Sequence, residues 1–443
     1  MADDSKVPST FLLDLTILIW MGCAQFLIAF DMGALTSLNC EYSPDSNSKP
    51  ICMVPGSLFF ILFVIISAIS YPIGSYLTTS YHRLTVLFLA LSFWSGGNLA
   101  AGFLGQVAIL WWTRLAVCFG AATFTVIALP LVNDLGSSSR GKWLSVIVAA
   151  LVLGLSFGFV YTKARTDSIY WILKIEGAIM APLGLLSLVS FFRYRVTAFD
   201  LAEQAEASKF STGSVSDIIS GVKNAAVGLT RTASDDIKLL VCSNGYCLNV
   251  IGFLLYNMSF GILGIYGKVF LKEAFNKHAS EAEDTADKVL MIGGVVGALI
   301  GGFLIDLRNS DEDQSQTAPI AFNHARISSL LAFLAGTASF WNTDYKTAVI
   351  LLGAAAAFAA VASVSVVVGL LTSLSYMLKH WGIGFAFALR FVFATGINIL
   401  VVQEVEESFG RQKALTAGLS GFFLASMFWG RGSQRLTKEK KDQ

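Results

Sequence analysis

Asp31 stands in the middle of AQFLIAFDMGALTSL, residues 24–38, a run of small and apolar side chains. Arg114 in WTRLAVCFG and Arg390 in GFAFALRFVFATG stand in comparable runs, and Lys174 and Glu176 share IYWILKIEGAIM. A carboxylate can hold and release a proton, and a guanidinium grips a carboxylate or phosphate with a planar fork of donors. At a bilayer centre such a group costs about 2.5–3.5 kcal/mol on insertion scales, so Asp31 must face a wet cavity or a partner. The two-residue spacing of Lys174 and Glu176 points them to different helix faces, so they do not pair with each other. Snorkelling to the interface is the first reading for both, and cavity lining the second. Arg390 lies too deep to snorkel easily; lining a cavity and pairing with a carboxylate or helix end stand as equal readings.

The elements that must position these groups follow from composition. The chain of 443 residues is 55% hydrophobic, 12% aromatic and only 14% charged, which is too apolar for an ordinary soluble protein. A polytopic, all-α membrane protein is expected. A crossing needs about 20 apolar residues, and cutting the chain at its polar clusters gives twelve spans, near 11–38, 55–78, 83–104, 106–132, 142–163, 169–192, 239–270, 286–306, 325–342, 346–376, 381–403 and 412–430. The polar stretch 193–238 divides them into bundles 1–192 and 239–430, followed by a basic tail, 431–443. Within that stretch Val215, Ile218, Ile219, Val222, Ala226 and Leu229 recur at helical spacing, so the linker carries an amphipathic helix lying over the helix ends. The bias of Lys and Arg among the loops places both termini in the cytoplasm. The first ten residues are polar, so the first span is read as retained rather than cleaved. Cys40 and Cys52 then share the first outward loop, where a disulfide and two free thiols are equal readings.

Several chemistries drop out. A net charge of +1 offers no field for nucleic acid, and four scattered histidines show no metal-ligand spacing. No cofactor is implied. No Ser-His-Asp, HExxH, CxxC or P-loop pattern supports an enzyme, and no repeated filter-like segment supports a channel.

The chain repeats itself. PIGSYLTTSYHR ends the second span and LIGGFLIDLRNS ends the eighth, with Ile73 against Ile300. Two related six-helix halves joined by a central loop resemble the major facilitator superfamily, whose signature between its second and third helices is a Gly-rich turn, an Asp and basic residues. The second half keeps Gly301, Gly302, Asp306 and Arg308; the first keeps Gly74 and Arg83 but has Thr79 where the acid is expected. The resemblance implies that these positions gate the cytoplasmic side, with a weaker charge–dipole latch at Thr79.

Reading from YPIGSYLTTSYHR through LSFWS to WTRLAVCFGAATFTVIALPLVND and SRGKWLSV, the first half is similar to the Spinster branch, as are DDIKLL and FGILGIYG. That resemblance makes Asp31 the proton-responsive acid of the first helix, with Met32 where a basic residue usually follows, and Arg114 its counterion across the first-half cavity. The branch's cavity Glu in the fourth helix corresponds to Ala121, and Lys174 roughly matches a basic position. The implied activity is secondary transport by alternating access of a lysophospholipid or sphingolipid-like amphipath, with the head group meeting Arg114; because Ala121 replaces the second acid, facilitated diffusion and proton coupling through Asp31 alone both stand as readings. The residues alone equally allow a small organic anion or a sugar. Loss of the acids at Thr79 and Ala121 leaves a non-transporting subunit or sensor as the alternative. The expected partners are membrane lipids, the substrate and protons, in a monomer or beside a partner subunit, in an endolysosomal or plasma membrane.

Overall fold

The computed structural model describes residues 10–37, 58–105, 107–136, 139–164, 169–194, 238–240, 243–275, 279–308, 316–375, 378–393 and 411–441. Cys40, Cys52 and most of the linker, with its expected amphipathic helix, lie outside the described residues.

Twelve helices carry the fold among the described residues. The first six are α1 (Thr10–Ser37), α2 (Leu58–Ser80), α3 (Arg83–Leu104), α4 (Val107–Leu135), α5 (Arg140–Ala164) and α6 (Ile169–Tyr194). The second six are α7 (Asn244–Ala274), α8 (Ala279–Arg308), α9 (Thr317–Trp341), α10 (Tyr345–Ser373), α11 (Lys379–Arg390) and α12 (Arg411–Lys441). Eight of them are long and apolar enough to cross a membrane. The chain is a multi-pass integral membrane protein.

Helix ends follow local chemistry. Gly105 closes α3 in the left-handed conformation, φ +60°, and its N–H returns to the Ala101 carbonyl. Asp344 opens α10 by accepting the Thr347 N–H. Three ends differ from the apolar runs that signal them. α8 starts in polar ASEAEDT and α9 takes in Asn323 and His324, because a helix can continue beyond the greasy stretch once a neighbour packs on it. α12 runs on through the basic tail to Lys441, fixed by buried Leu436 and by the Ser433 hydroxyl donating to the Pro319 carbonyl at 3.1 Å.

The two sets of six share most of one packing scheme. In the first, α1 lies on α5, α2 on α4, and α3 on α4 and α6; in the second, α8 lies on α10 and α9 on α10 and α12, while α7 lies mainly on α12 and only touches α11. Contacts between the sets obey the same symmetry, because α2–α11 exchanges with α5–α8, α4–α11 with α5–α10, and α4–α10 with itself. The repeated stretches sit at equivalent places: a Cβ on Gly74 would press on Thr123 of α4, and one on Gly301 on Val361 of α10.

Candidate functional site

The intramembrane charges of the first half converge. Arg114 on α4 donates from one terminal nitrogen to both oxygens of Asp31 on α1, at 2.7 and 2.8 Å. Its other terminal nitrogen donates to Asn98 Oδ1 on α3 at 2.8 Å. The Asn98 amide in turn donates to Glu176 Oε2 on α6 at 3.4 Å. Asp31, Arg114 and Glu176 are each 2% exposed and Asn98 is fully buried, so the charges face each other rather than lipid. Arg114 Nε and Glu176 Oε1 are buried without a partner among the described residues.

This arrangement separates residues that the sequence had placed side by side. Glu176 reaches the cluster and is no interface group, whereas Lys174, half-buried on the next face of α6, stacks its ammonium 4.9 Å from the Phe103 ring. Ala121 lies two turns along α4 from Arg114, and the second carboxylate of the cluster comes from α6 instead. Asn98 carried no signal of its own, since a neutral amide in a helix attracts no notice until its partners are known.

Arg390 stands in the other half. Its guanidinium lies 5.4 Å from the Phe387 ring centroid and 6.0 Å from that of Phe253 on α7. Tyr71 of α2 crosses from the first half to stack on Phe387 at 5.8 Å and on Phe391 at 6.0 Å.

The cross-half contacts gather at the end of the bundle where α2 passes to α3 and α8 ends. On one seam, Gly302 and Gly141 bring α8 and α5 into backbone contact; a Cβ on either would run into the other's carbonyl oxygen. Asp306 then accepts the Gly141 and Lys142 amides at 2.8 and 2.9 Å, so the second half caps the first turn of α5. The Lys142 ammonium sits 5.7 Å from the Phe303 ring on the same seam. Arg308 is exposed at the last turn of α8.

On the symmetry-related seam Thr79, in the place of Asp306, turns its hydroxyl back to the Tyr76 carbonyl of its own helix at 2.8 Å. The α11 N-cap, Leu378, offers no side-chain cap, and the Ser375 carbonyl accepts the Leu378 and Lys379 amides instead. Asp134 on α4 holds this side, with Lys379 of α11 at 2.7 Å and Arg83 at 3.3 Å. The Ser75 hydroxyl lies 2.9 Å from the His380 carbonyl and 3.0 Å from that of Tyr71. Pro130 lacks the amide that would bond the Val126 carbonyl four residues earlier. His380 Nδ1 comes from the other half to 3.2 Å from that freed oxygen, and because a carbonyl only accepts, Nδ1 carries the proton.

A groove of about 530 Å³ between α3 and α4, lined by exposed Phe93 and Trp112, opens on the bilayer-facing surface and away from these groups.

Comparison with known proteins agrees with the architecture. No family model matches the chain. A probable sphingolipid transporter, spinster homolog 2 of Arabidopsis thaliana, is 25% identical over 250 residues, which are 55% of this chain and 49% of the relative. Protein spinster of Drosophila melanogaster is 22% identical over 302 residues, 65% of this chain and 45% of the relative. The chain thus spans about half the length of the curated relatives it matches. The crystal structure of FucP, a major facilitator superfamily transporter in the outward conformation, superposes with a TM-score of 0.66 at 14% identity, covering 94% of this chain and 98% of FucP. The fold is that of the major facilitator superfamily, and the likeness in sequence is to its Spinster branch.

Proposed function

We propose that the protein is a secondary transporter that moves an amphipathic anion or zwitterion, of the lysophospholipid or sphingolipid-like class, by alternating access between its two halves. The observation that carries this reading is that two symmetry-related bundles meet across one end through side-chain latches that can be parted without unfolding either bundle. The names of the spinster relatives support the substrate class.

Two carboxylates and one guanidinium make up the first-half cluster, so a single bound proton brings it to neutrality. That makes Asp31 and Glu176 the proton-carrying pair, with Arg114 holding them in place. Arg114 is sealed by Asp31 and Asn98 in this conformation, so its role lies in coupling rather than in receiving a head group.

The test is flux of labelled lysophospholipid across proteoliposomes, with and without a pH gradient. Asp31→Asn removes the pH dependence, and Arg114→Ala abolishes flux while folded protein is retained. Unchanged flux in both variants rejects the assignment. A transporter-like subunit without flux is the second reading, favoured by the Thr79 hydroxyl that no longer reaches across the halves; a fixed copurifying partner and no uptake of any lysolipid, anion or sugar would establish it.

A further inference from the structure

Two arginines lie inside the apolar helices, and they are used in opposite ways. Arg114 is enclosed, with a carboxylate and an amide on its terminal nitrogens. Arg390 is half-buried; the Phe387 and Phe253 rings lie against its guanidinium, the Tyr71 and Tyr256 phenols stand near it, and no carboxylate is paired with it among the described residues. Aromatic faces attract the charge but accept none of its N–H donors in the way an oxygen does. A guanidinium left in that condition in an apolar setting keeps most of its desolvation cost unless an anion completes it.

The position suits a ligand that enters between the halves. Arg390 lies eleven residues beyond Lys379, about 16 Å along α11 from the latched end and close to the middle of a core of about 30 Å. Below it the floor is closed by Tyr71 on Phe387, and one turn further by Ser75 against Gly384. Phe253 and Phe387 are themselves in contact, 5.4 Å between centroids, so the cation rests on a continuous apolar wall. Both halves build the floor, since Tyr71 comes from α2 and the other rings from α7 and α11. A group bound to Arg390 therefore touches the surface that must part for the latched end to open.

We infer that Arg390, on the aromatic wall of Phe253, Phe387 and Tyr71, is the binding site for the anionic head group of an amphipath, a phosphate monoester or carboxylate carried on an apolar chain. The guanidinium supplies the bidentate donors that such an anion fits. The rings take the first carbons of the chain. The inference rests on the transporter reading for its use in a cycle, but binding is measured without flux, so the two can fail separately.

The experiment uses the full chain in lipid nanodiscs, with empty nanodiscs to subtract partitioning, and measures binding of dodecyl phosphate, inorganic phosphate and dodecyltrimethylammonium. Dodecyl phosphate is expected to bind, inorganic phosphate much more weakly, and the cationic amphipath not at all. Arg390→Gln should weaken dodecyl phosphate by about tenfold or more, the loss of one charge-assisted contact. Arg390→Lys should recover part of that loss, and Phe253→Leu, which keeps the apolar volume, should weaken binding by a smaller factor. These two variants carry the test if Arg390→Gln does not yield monodisperse protein. Equal affinity in wild type and the Arg390 variants, equal binding of inorganic and dodecyl phosphate, equal binding of the cationic amphipath, or no binding by wild type would each overturn the site. Binding that behaves as expected in a protein without flux would keep the site and remove the transporter reading.

Discussion

The seam between α8 and α5 and the seam between α2 and α11 occupy equivalent places, yet they are fastened by different chemistry. On the first, glycines let backbones touch and Asp306 accepts two amides at the start of α5. On the second, the carboxylate is gone, Thr79 bonds its own helix, and three charged side chains meet at Asp134. A backbone latch spreads its hold over several contacts. A charge latch concentrates it in one carboxylate shared by two cations. The pseudo-symmetric fold therefore holds its closed end by two devices with different weak points, so the seams need not yield together.

The largest break in this comparison comes from Asp134→Ala. It removes the carboxylate that Arg83 and Lys379 share in a mostly buried place, and deleting one partner of a buried ion pair costs up to about 3–5 kcal/mol. The α2–α11 seam should open, seen as a longer distance between spin labels on those helices, while labels on α5 and α8 move less. Asp306→Asn is the matching test on the other seam. It keeps shape but removes the charge from the α5 start, so a smaller effect of about 0.5–2 kcal/mol is expected, widening the α5–α8 distance. An effect of Asp306→Asn larger than that of Asp134→Ala would reverse the assignment of weak points. The smallest change sharpens the contrast: Thr79→Asp supplies a carboxylate on the seam with the α11 start, whose N-cap residue offers no side-chain cap, and should favour the closed end by about 0.3–1 kcal/mol, read as a shift of the label distances toward the short population.

How far these features could be read beforehand depends on what makes a residue conspicuous. The helices were legible because a bilayer demands long apolar runs, and the internal repeat because Gly74 and Gly301 must let helices approach in both halves. The meeting of Asp31 with Arg114 was expected through the Spinster resemblance, and each charge alone signalled the need for a partner. Glu176 lies near a span end beside Lys174, where snorkelling and cavity lining read alike; only packing shows that α6 turns one toward Asn98 and the other toward Phe103. The Lys379–Asp134 pair joins residues 245 positions apart, and no local pattern announces such a contact. The use of Pro130 was half visible, since a proline inside a helix always frees a carbonyl, but what would claim that oxygen belongs to the tertiary structure.

That proline has a consequence for motion. When the halves part, His380 leaves with α11, and the Val126 oxygen has no amide in its own helix to fall back on. Hydration is its remaining recourse, so a conformation open at this end must admit solvent to the depth of Val126 on α4. Wetting of the inner vestibule is thus built into the backbone as a condition of opening, whatever cargo the chamber holds.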